Sequence, residues 1–248
     1  MKIDEEQKWD DEKKVDEPRD SELGSHFLKG DFVVFKAENK LFRVPLYQFT
    51  GGSEVFQTLF SLPAGNEEVQ GRSETDPIVL PPTISADDFG NFMKVLYPQG
   101  TCSWFTFPKA VWISTLKLSS MWFFLHFRNV AIQRLSEKNR LWDVPPTERV
   151  VLARTYKVPQ WLLQGLRELA GDRVLVSHSD AKIIGFETAF KLAHITFGAD
   201  KPVVPVNKTL STAQYCTLVE PRVDAVFDAE VQELRREAST YAPDVNQG

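Results

Sequence analysis

Ser177-His178-Ser179-Asp180 brings hydroxyl, imidazole and carboxylate side chains together in one stretch of chain. Nucleophilic hydrolysis needs such groups, with a base beside the nucleophile and a third group to orient it. Adjacent residues do not make that geometry by sequence alone. A serine three residues before an aspartate also matches a helix start, where the serine oxygen accepts a backbone N–H. Gly51-Gly52-Ser53-Glu54-Val55 raises the same question, but it lacks the second glycine of a nucleophile elbow and reads as a helix cap after Pro45. A hydrolase with its site around His178 and Asp180 is the enzyme reading to weigh against capping, and capping is the simpler of the two.

The other reactive residues are scattered. His126 falls in an apolar helical stretch and reads as a hydrogen-bonded core residue, while His194 shares a helix with Lys191 and reads as half exposed. Neither has a partner at metal-ligand spacing. Cys102 and Cys216 are far apart and read as plain thiols. Neither common spacing of a glycine-rich phosphate loop occurs. The expectation is therefore no catalytic residue, no cofactor and no metal. Recognition is a different matter. Trp104-Phe105-Thr106-Phe107 lies between helices, and Trp161-Leu162 lies in a later one. Aromatics dominate interface hot spots, so Trp104, Phe105, Phe107 and Trp161 are the candidate partner-binding residues, with intramolecular packing as the competing reading.

Charge limits the partners. The chain has 248 residues and a formal net charge of -5. Residues 1–22 hold ten acidic and five basic side chains, so this stretch carries the whole imbalance. Such a segment buries too little apolar surface to order itself, and residues 1–25 are expected to be a disordered, mobile tail. Residues 243–248 are read as a flexible C-terminus. The acidic balance, with no zinc-finger pattern or basic region, argues against direct nucleic-acid binding. Two cysteines fit a reducing compartment. With no apolar run near residue 1 and none long enough to span a bilayer, the expected location is cytoplasm, nucleus or both, away from membranes.

The positioning elements follow from pattern. Asp31–Phe35 and Leu41–Val44, separated by Glu38-Asn39-Lys40, read as a hairpin. Ser53 caps a helix bearing Val55, Phe56, Leu59 and Phe60. Pro77–Pro81 is a short edge strand. Ser85 with Asp88 opens a helix whose Phe89, Phe92, Met93 and Leu96 share a side. Ala110–Leu135 reads as helix with a break at Ser119-Ser120, and Leu118–Phe127 within it as buried. Pro145-Pro146 marks a boundary, after which only helices appear: Thr147–Tyr156, Pro159–Ala170, one opened by Ser177, and Phe186–Phe197. Residues 199–216 read as loop, and Val219, Val223, Val226, Phe227, Val231 and Leu234 trace one face of a last helix. Strands first and helices after give an α+β class.

The ordered set Asp31–Phe35, Leu41–Val44, Ser53-x-Val55-Phe56-x-x-Leu59-Phe60, Ile78–Leu80 and Phe89–Tyr97 resembles the BTB/POZ domain. Glu148–Leu162 and Ile184–Ala189 are similar to the helical segment that follows this domain in its fungal branch. The resemblance covers residues 27–240. It implies a BTB/POZ fold at 26–136, a short mixed sheet covered by helices. A small all-helical extension like the BACK region follows at 137–242. It also implies a non-enzymatic module that binds other proteins. A cullin scaffold, with the chain as ubiquitin-ligase substrate adaptor, is the first such partner; a transcriptional partner is the second. Two positions depart from the animal pattern. The His-Arg pair after the second strand is Pro45-Leu46 here, which leaves Asp31 without that cation. The apolar helix that precedes the first strand is replaced by the charged tail. Self-association, if it occurs, therefore lacks the usual docking helix.

Overall fold

The computed structural model describes residues 31–62, 70–98, 107–137, 144–172, 176–197 and 211–242. The acidic tail, Cys102, Trp104, Phe105 and residues 243–248 lie outside the described residues.

β1 (Phe32–Ala37) and β2 (Lys40–Pro45) form the expected hairpin, with Val33 opposite Val44 and Phe35 opposite Phe42. Glu38 turns the chain at φ 51°, a left-handed conformation uncommon for a charged residue. Its carboxylate accepts the Ala86 N–H at 3.1 Å, which gives this turn residue a second role at a helix start. β3 (Ile78–Val79) lies parallel to β1 between Pro77 and Pro81, and the order β2-β1-β3 puts β1 in the centre.

Helices cover this small sheet. α1 (Tyr47–Gly52) leads into α2 (Glu54–Ser61), and Ser53 joins them. The Ser53 hydroxyl accepts the Phe56 N–H at 3.3 Å and donates to the Trp122 carbonyl at 2.5 Å, so it caps a helix and pins it to a distant turn. On α2 only Phe56 is buried, while Val55 and Leu59 face solvent. α3 (Ala86–Leu96) is capped by Ser85 and buries Phe89, Phe92, Met93 and Leu96, the four residues read onto one side. α4 (Lys109–Met121) and α5 (Leu125–Ser136) replace the long helix read from the sequence. Their break falls at Trp122–Phe124, not at Ser119-Ser120, and Phe123 takes φ 55° there. The break turns both Trp122 and Phe124 into one aromatic cluster with Phe49, Phe56 and Phe92, at ring spacings of 5.3–6.1 Å. It also corrects the reading of His126, which is exposed with its ring against Phe127, because α5 turns Phe127 and Arg128 inward instead.

The second half is helical. α6 (Pro146–Tyr156) and α7 (Pro159–Gly171) each begin on a proline, which suits a first helical turn. α8 (His178–Ile184) and α9 (Phe186–Phe197) are separated by Gly185 at φ 95°. α10 (Thr212–Ala238) ends in a 3₁₀ turn, Ser239–Tyr241. It starts well before Val219, so the loop reading fails for 212–216. Ser211 and Gln214 form a capping box, and the helix runs through Pro221. The buried stripe is Val219, Val223, Phe227, Val231 and Leu234, with Val226 facing out.

The chain is α+β, with a three-stranded sheet under helices and a helical half behind it. One apolar cluster runs from Val33 to Leu234 and crosses the boundary read at 136–137. Lys109 pairs with Glu148 at 2.9 Å across it, and Trp161 reaches Ser136. α6 and α7 approach closely at Gly165, where a Cβ would stand 2.9 Å from the Pro146 carbonyl oxygen. That neighbour is backbone and cannot swing aside. Gly165→Ala is expected to lose about 1–3 kcal/mol despite alanine's better helix propensity, measured by urea denaturation.

Asp88 ties α3 to α4. Lys117 Nζ lies 2.6 Å from one carboxylate oxygen, and the Ser114 hydroxyl donates to the other at 2.8 Å. Burial raises the Asp88 pKa, but the Lys117 and Ser114 hydrogen bonds and the Lys117 charge outweigh it and hold the carboxyl below its ordinary value. A lowered folded-state pKa adds stability that is fully present above about pH 4 and is lost as pH falls through the folded value. Melting temperature should therefore drop in that acidic window, and Asp88→Asn should flatten that part of the profile.

Candidate interaction groove

Among the described residues β2 is an edge strand, and its ladder sets which backbone groups point outward. Leu46 N–H donates to the Asp31 carbonyl at 2.8 Å, which makes Val33–Val44, Phe35–Phe42 and Ala37–Lys40 the hydrogen-bonded pairs. The N–H and C=O of Leu41 and Arg43, and the C=O of Pro45, then face away from β1. Tyr97 donates its hydroxyl to the Pro45 carbonyl, which closes that end of the edge. Burial, with the neighbouring Tyr47, pushes the Tyr97 phenol well above its ordinary pKa, so the hydroxyl stays a neutral donor.

Between this edge and α3 runs a groove of about 730 Å³, lined by Leu41, Pro45, Met93, Tyr97 and Phe107 among others. A second hollow of about 430 Å³ shares Phe42, Gly90 and Lys94 with it, so the two adjoin along the strand. Lys40 and Asp87 pair at 3.2 Å in that second hollow. The long groove is mostly apolar, and Lys94 and Arg43 supply its positive charge.

The structure separates the four aromatic candidates. Phe107 is half-buried, sits edge-on to the buried Trp112 at 6.0 Å and lines the groove. Trp161 is a correction: it is 2% exposed on α7, and its Nε1–H donates to the Ser136 hydroxyl at 2.7 Å. In that position it joins α7 to α5, and a partner does not reach it. Trp104 and Phe105 precede Phe107 but lie outside the described residues.

At Ser177–Asp180 the Ser177 hydroxyl accepts the Asp180 N–H at 3.1 Å and contacts its carboxylate at 2.6 Å, while the His178 ring rests on Phe186. These residues form the exposed start of α8. Cys216 is half-buried, with its sulfur 3.1 Å from where a Cβ on Gly171 would stand. Among the described residues, no three His, Cys, Asp or Glu side chains are grouped to hold a metal ion, and no helix is long and apolar enough to cross a membrane. A larger opening of about 780 Å³ between α7 and α10 is lined by Arg167, Glu168, Asp172, Glu220 and Arg235 among others, and Arg167 is paired with Asp224 at 2.5 Å. No protein family, curated protein or solved structure matches the chain.

Sequence reading missed Leu41, Gly90 and Tyr97. The available signal was a glycine inside an otherwise regular helix beside a hairpin that ends in proline. Gly90 lies on the floor of the groove, and a Cβ there would meet only the Phe42 ring, at 3.6 Å. That is ordinary contact, and no left-handed backbone is involved. Gly90→Ala is expected to stabilise the protein by about 0.5–1 kcal/mol in a denaturation experiment.

Proposed function

We propose that this chain is a non-enzymatic protein–protein interaction module of the BTB type, acting as a substrate adaptor that docks on a cullin scaffold. The observation that carries the reading is the apolar groove along the edge of β2 that no other described strand pairs with, with an aromatic side chain at its wall. Two further features support it. A short sheet roofed by helices precedes a helical half, which is the order the resemblance implies. The polar side chains that sequence marked for chemistry hold helix ends instead, as Ser53 and Ser177 do.

An extended segment of a partner can use such an edge in two ways at once. Backbone groups of Leu41 and Arg43 offer ladder hydrogen bonds, and the groove between β2 and α3 accepts alternate side chains. The rigid α3 wall limits the ordering needed on this side of the complex, which favours affinity.

Calorimetric titration of the full chain with a purified cullin N-terminal domain tests the reading. Micromolar or tighter binding is expected. Leu41→Glu, which charges an exposed wall residue, and Gly90→Arg, which fills the floor, should each weaken it by about tenfold or more. Absence of binding by the wild-type chain sinks the cullin-adaptor reading.

A further inference from the structure

α10 closes on three hydroxyl side chains in a row. Ser239, Thr240 and Tyr241 form its 3₁₀ turn, with Ser239 and Thr240 exposed and Tyr241 half-buried. No residue of this turn is fully buried, yet it reaches the seam between the two halves of the chain. The Tyr241 ring lies 3.9 Å from the Arg128 guanidinium and 5.5 Å from the Phe123 ring. One turn earlier, Glu237 pairs with Lys157 at 2.8 Å. Arg128 belongs to α5, Phe123 to the break before it, and Lys157 to the end of α6. The turn is thus a latch laid across three places, fastened by one ring and one ion pair. It can lift without opening the core, because the last buried residue of α10 is Leu234.

The residues before the latch suit an enzyme that would act on it. Arg235 and Arg236 stand four and three residues before Ser239, and both are exposed. They are the only two adjacent arginines in the sequence. Two guanidinium groups one helical turn before a solvent-facing hydroxyl match the acidic peptide cleft of an arginine-directed serine kinase. Helix ends fray, which lets this stretch enter such a cleft in extended form.

Local chemistry sets what a phosphate would do there. The Ser239 hydroxyl donates to the Arg236 carbonyl at 2.7 Å, and the Ser239 N–H serves the last carbonyls of α10. A phosphate removes that hydroxyl donor and adds about −1.5 to −2 of charge at the negative end of a helix. Glu233 and Glu237 lie within the same two turns, and Glu233 already engages Arg236 at 2.5 Å. Carbonyls and carboxylates therefore repel the added charge, and the turn that carries Tyr241 is driven from its seat.

We propose that Ser239 is a phosphorylation site for an arginine-directed serine kinase, and that its phosphate unfastens the Tyr241 latch. In the transfer the Ser239 oxygen bonds to the γ-phosphorus of ATP, the bond from that phosphorus to the bridging oxygen of ADP breaks, and the hydroxyl proton leaves to the kinase's base. Once the ring is gone, water reaches Arg128 and the contact between α5 and the end of α6 loosens. This switch uses none of the groove residues and is independent of the adaptor reading.

Incubation of the full chain with ATP and a purified serine kinase selective for arginine three residues before its target tests the site. One phosphate per chain is expected, mapped by mass spectrometry to Ser239. Ser239→Ala should lose it, and Arg235→Ala combined with Arg236→Ala should slow its incorporation about tenfold or more. Hydrogen exchange tests the latch. In the phosphorylated chain the Arg128 and Val158 amides, which bond to the Phe124 and Ala153 carbonyls, should exchange about tenfold faster. The Phe92 amide in α3 should keep its rate. Tyr241→Leu should reproduce the faster exchange without phosphate, and Tyr241→Phe, which keeps the ring, should not. Circular dichroism checks that each variant folds, and Tyr241→Met replaces Tyr241→Leu if it does not. Failure to incorporate phosphate overturns the proposal, as does incorporation at Thr240, or at Thr75 behind Arg72, in place of Ser239. Unchanged Val158 exchange in the phosphorylated chain or in Tyr241→Leu overturns it equally.

Discussion

Arg128 leaves water on α5 and must find its hydrogen bonds inside the protein. Its guanidinium donates to the carbonyls of Tyr156 at 2.6 Å and Lys157 at 3.3 Å, where α6 ends and its last carbonyls have no helical N–H to accept. The Tyr241 ring lies 3.9 Å from the same group and covers it from the far end of the chain. Burial lowers the Arg128 pKa, yet a guanidinium stays charged in a protein, so these contacts are obligatory. One side chain therefore fixes α5, α6 and the turn after α10 relative to each other. Leaving such a buried charge without its acceptors would cost several kcal/mol. The sheet-bearing half and the helical half are thus joined by more than adjacency in sequence.

With the halves fixed, the β2 groove is held on one framework with the helical half. On the proposed reading it receives an extended segment, which needs no reactive group. Lys40 at its end is engaged with Asp87, while Arg43 and Lys94 line it without a carboxylate partner among the described ion pairs.

The local elements were legible in the residues because each has local chemistry. Prolines and serines mark helix starts at Ser53, Ser85, Pro146, Pro159 and Ser177, and Gly185 marks the gap between α8 and α9. The sequence reading failed where tertiary packing decided. No local signal puts Phe123 in a left-handed turn; the demand of the aromatic cluster for both Trp122 and Phe124 does. His126 and Trp161 were misplaced for the same reason, since the direction of a helix face depends on what it packs against. The start of α10 was hidden by Pro221, although Ser211 and Gln214 carried the capping signature. Of the candidate site, Phe107 was legible as an aromatic and Leu41 was not, because an edge strand is defined by the absence of a neighbour.

Pro221 divides α10 unequally. It has no N–H to give the Thr217 carbonyl, so the ladder is interrupted one turn earlier. From Thr212 to Glu220 the helix buries only Val219, whereas beyond the proline it buries Val223, Phe227, Val231 and Leu234. The leading turns are thus held by their capping box and by the partly buried Tyr215 and Cys216 at the edge of the core, and the trailing turns by fully buried side chains. Amide protons of the two parts should exchange with solvent by different routes, the first through local fraying and the second only when the whole protein opens.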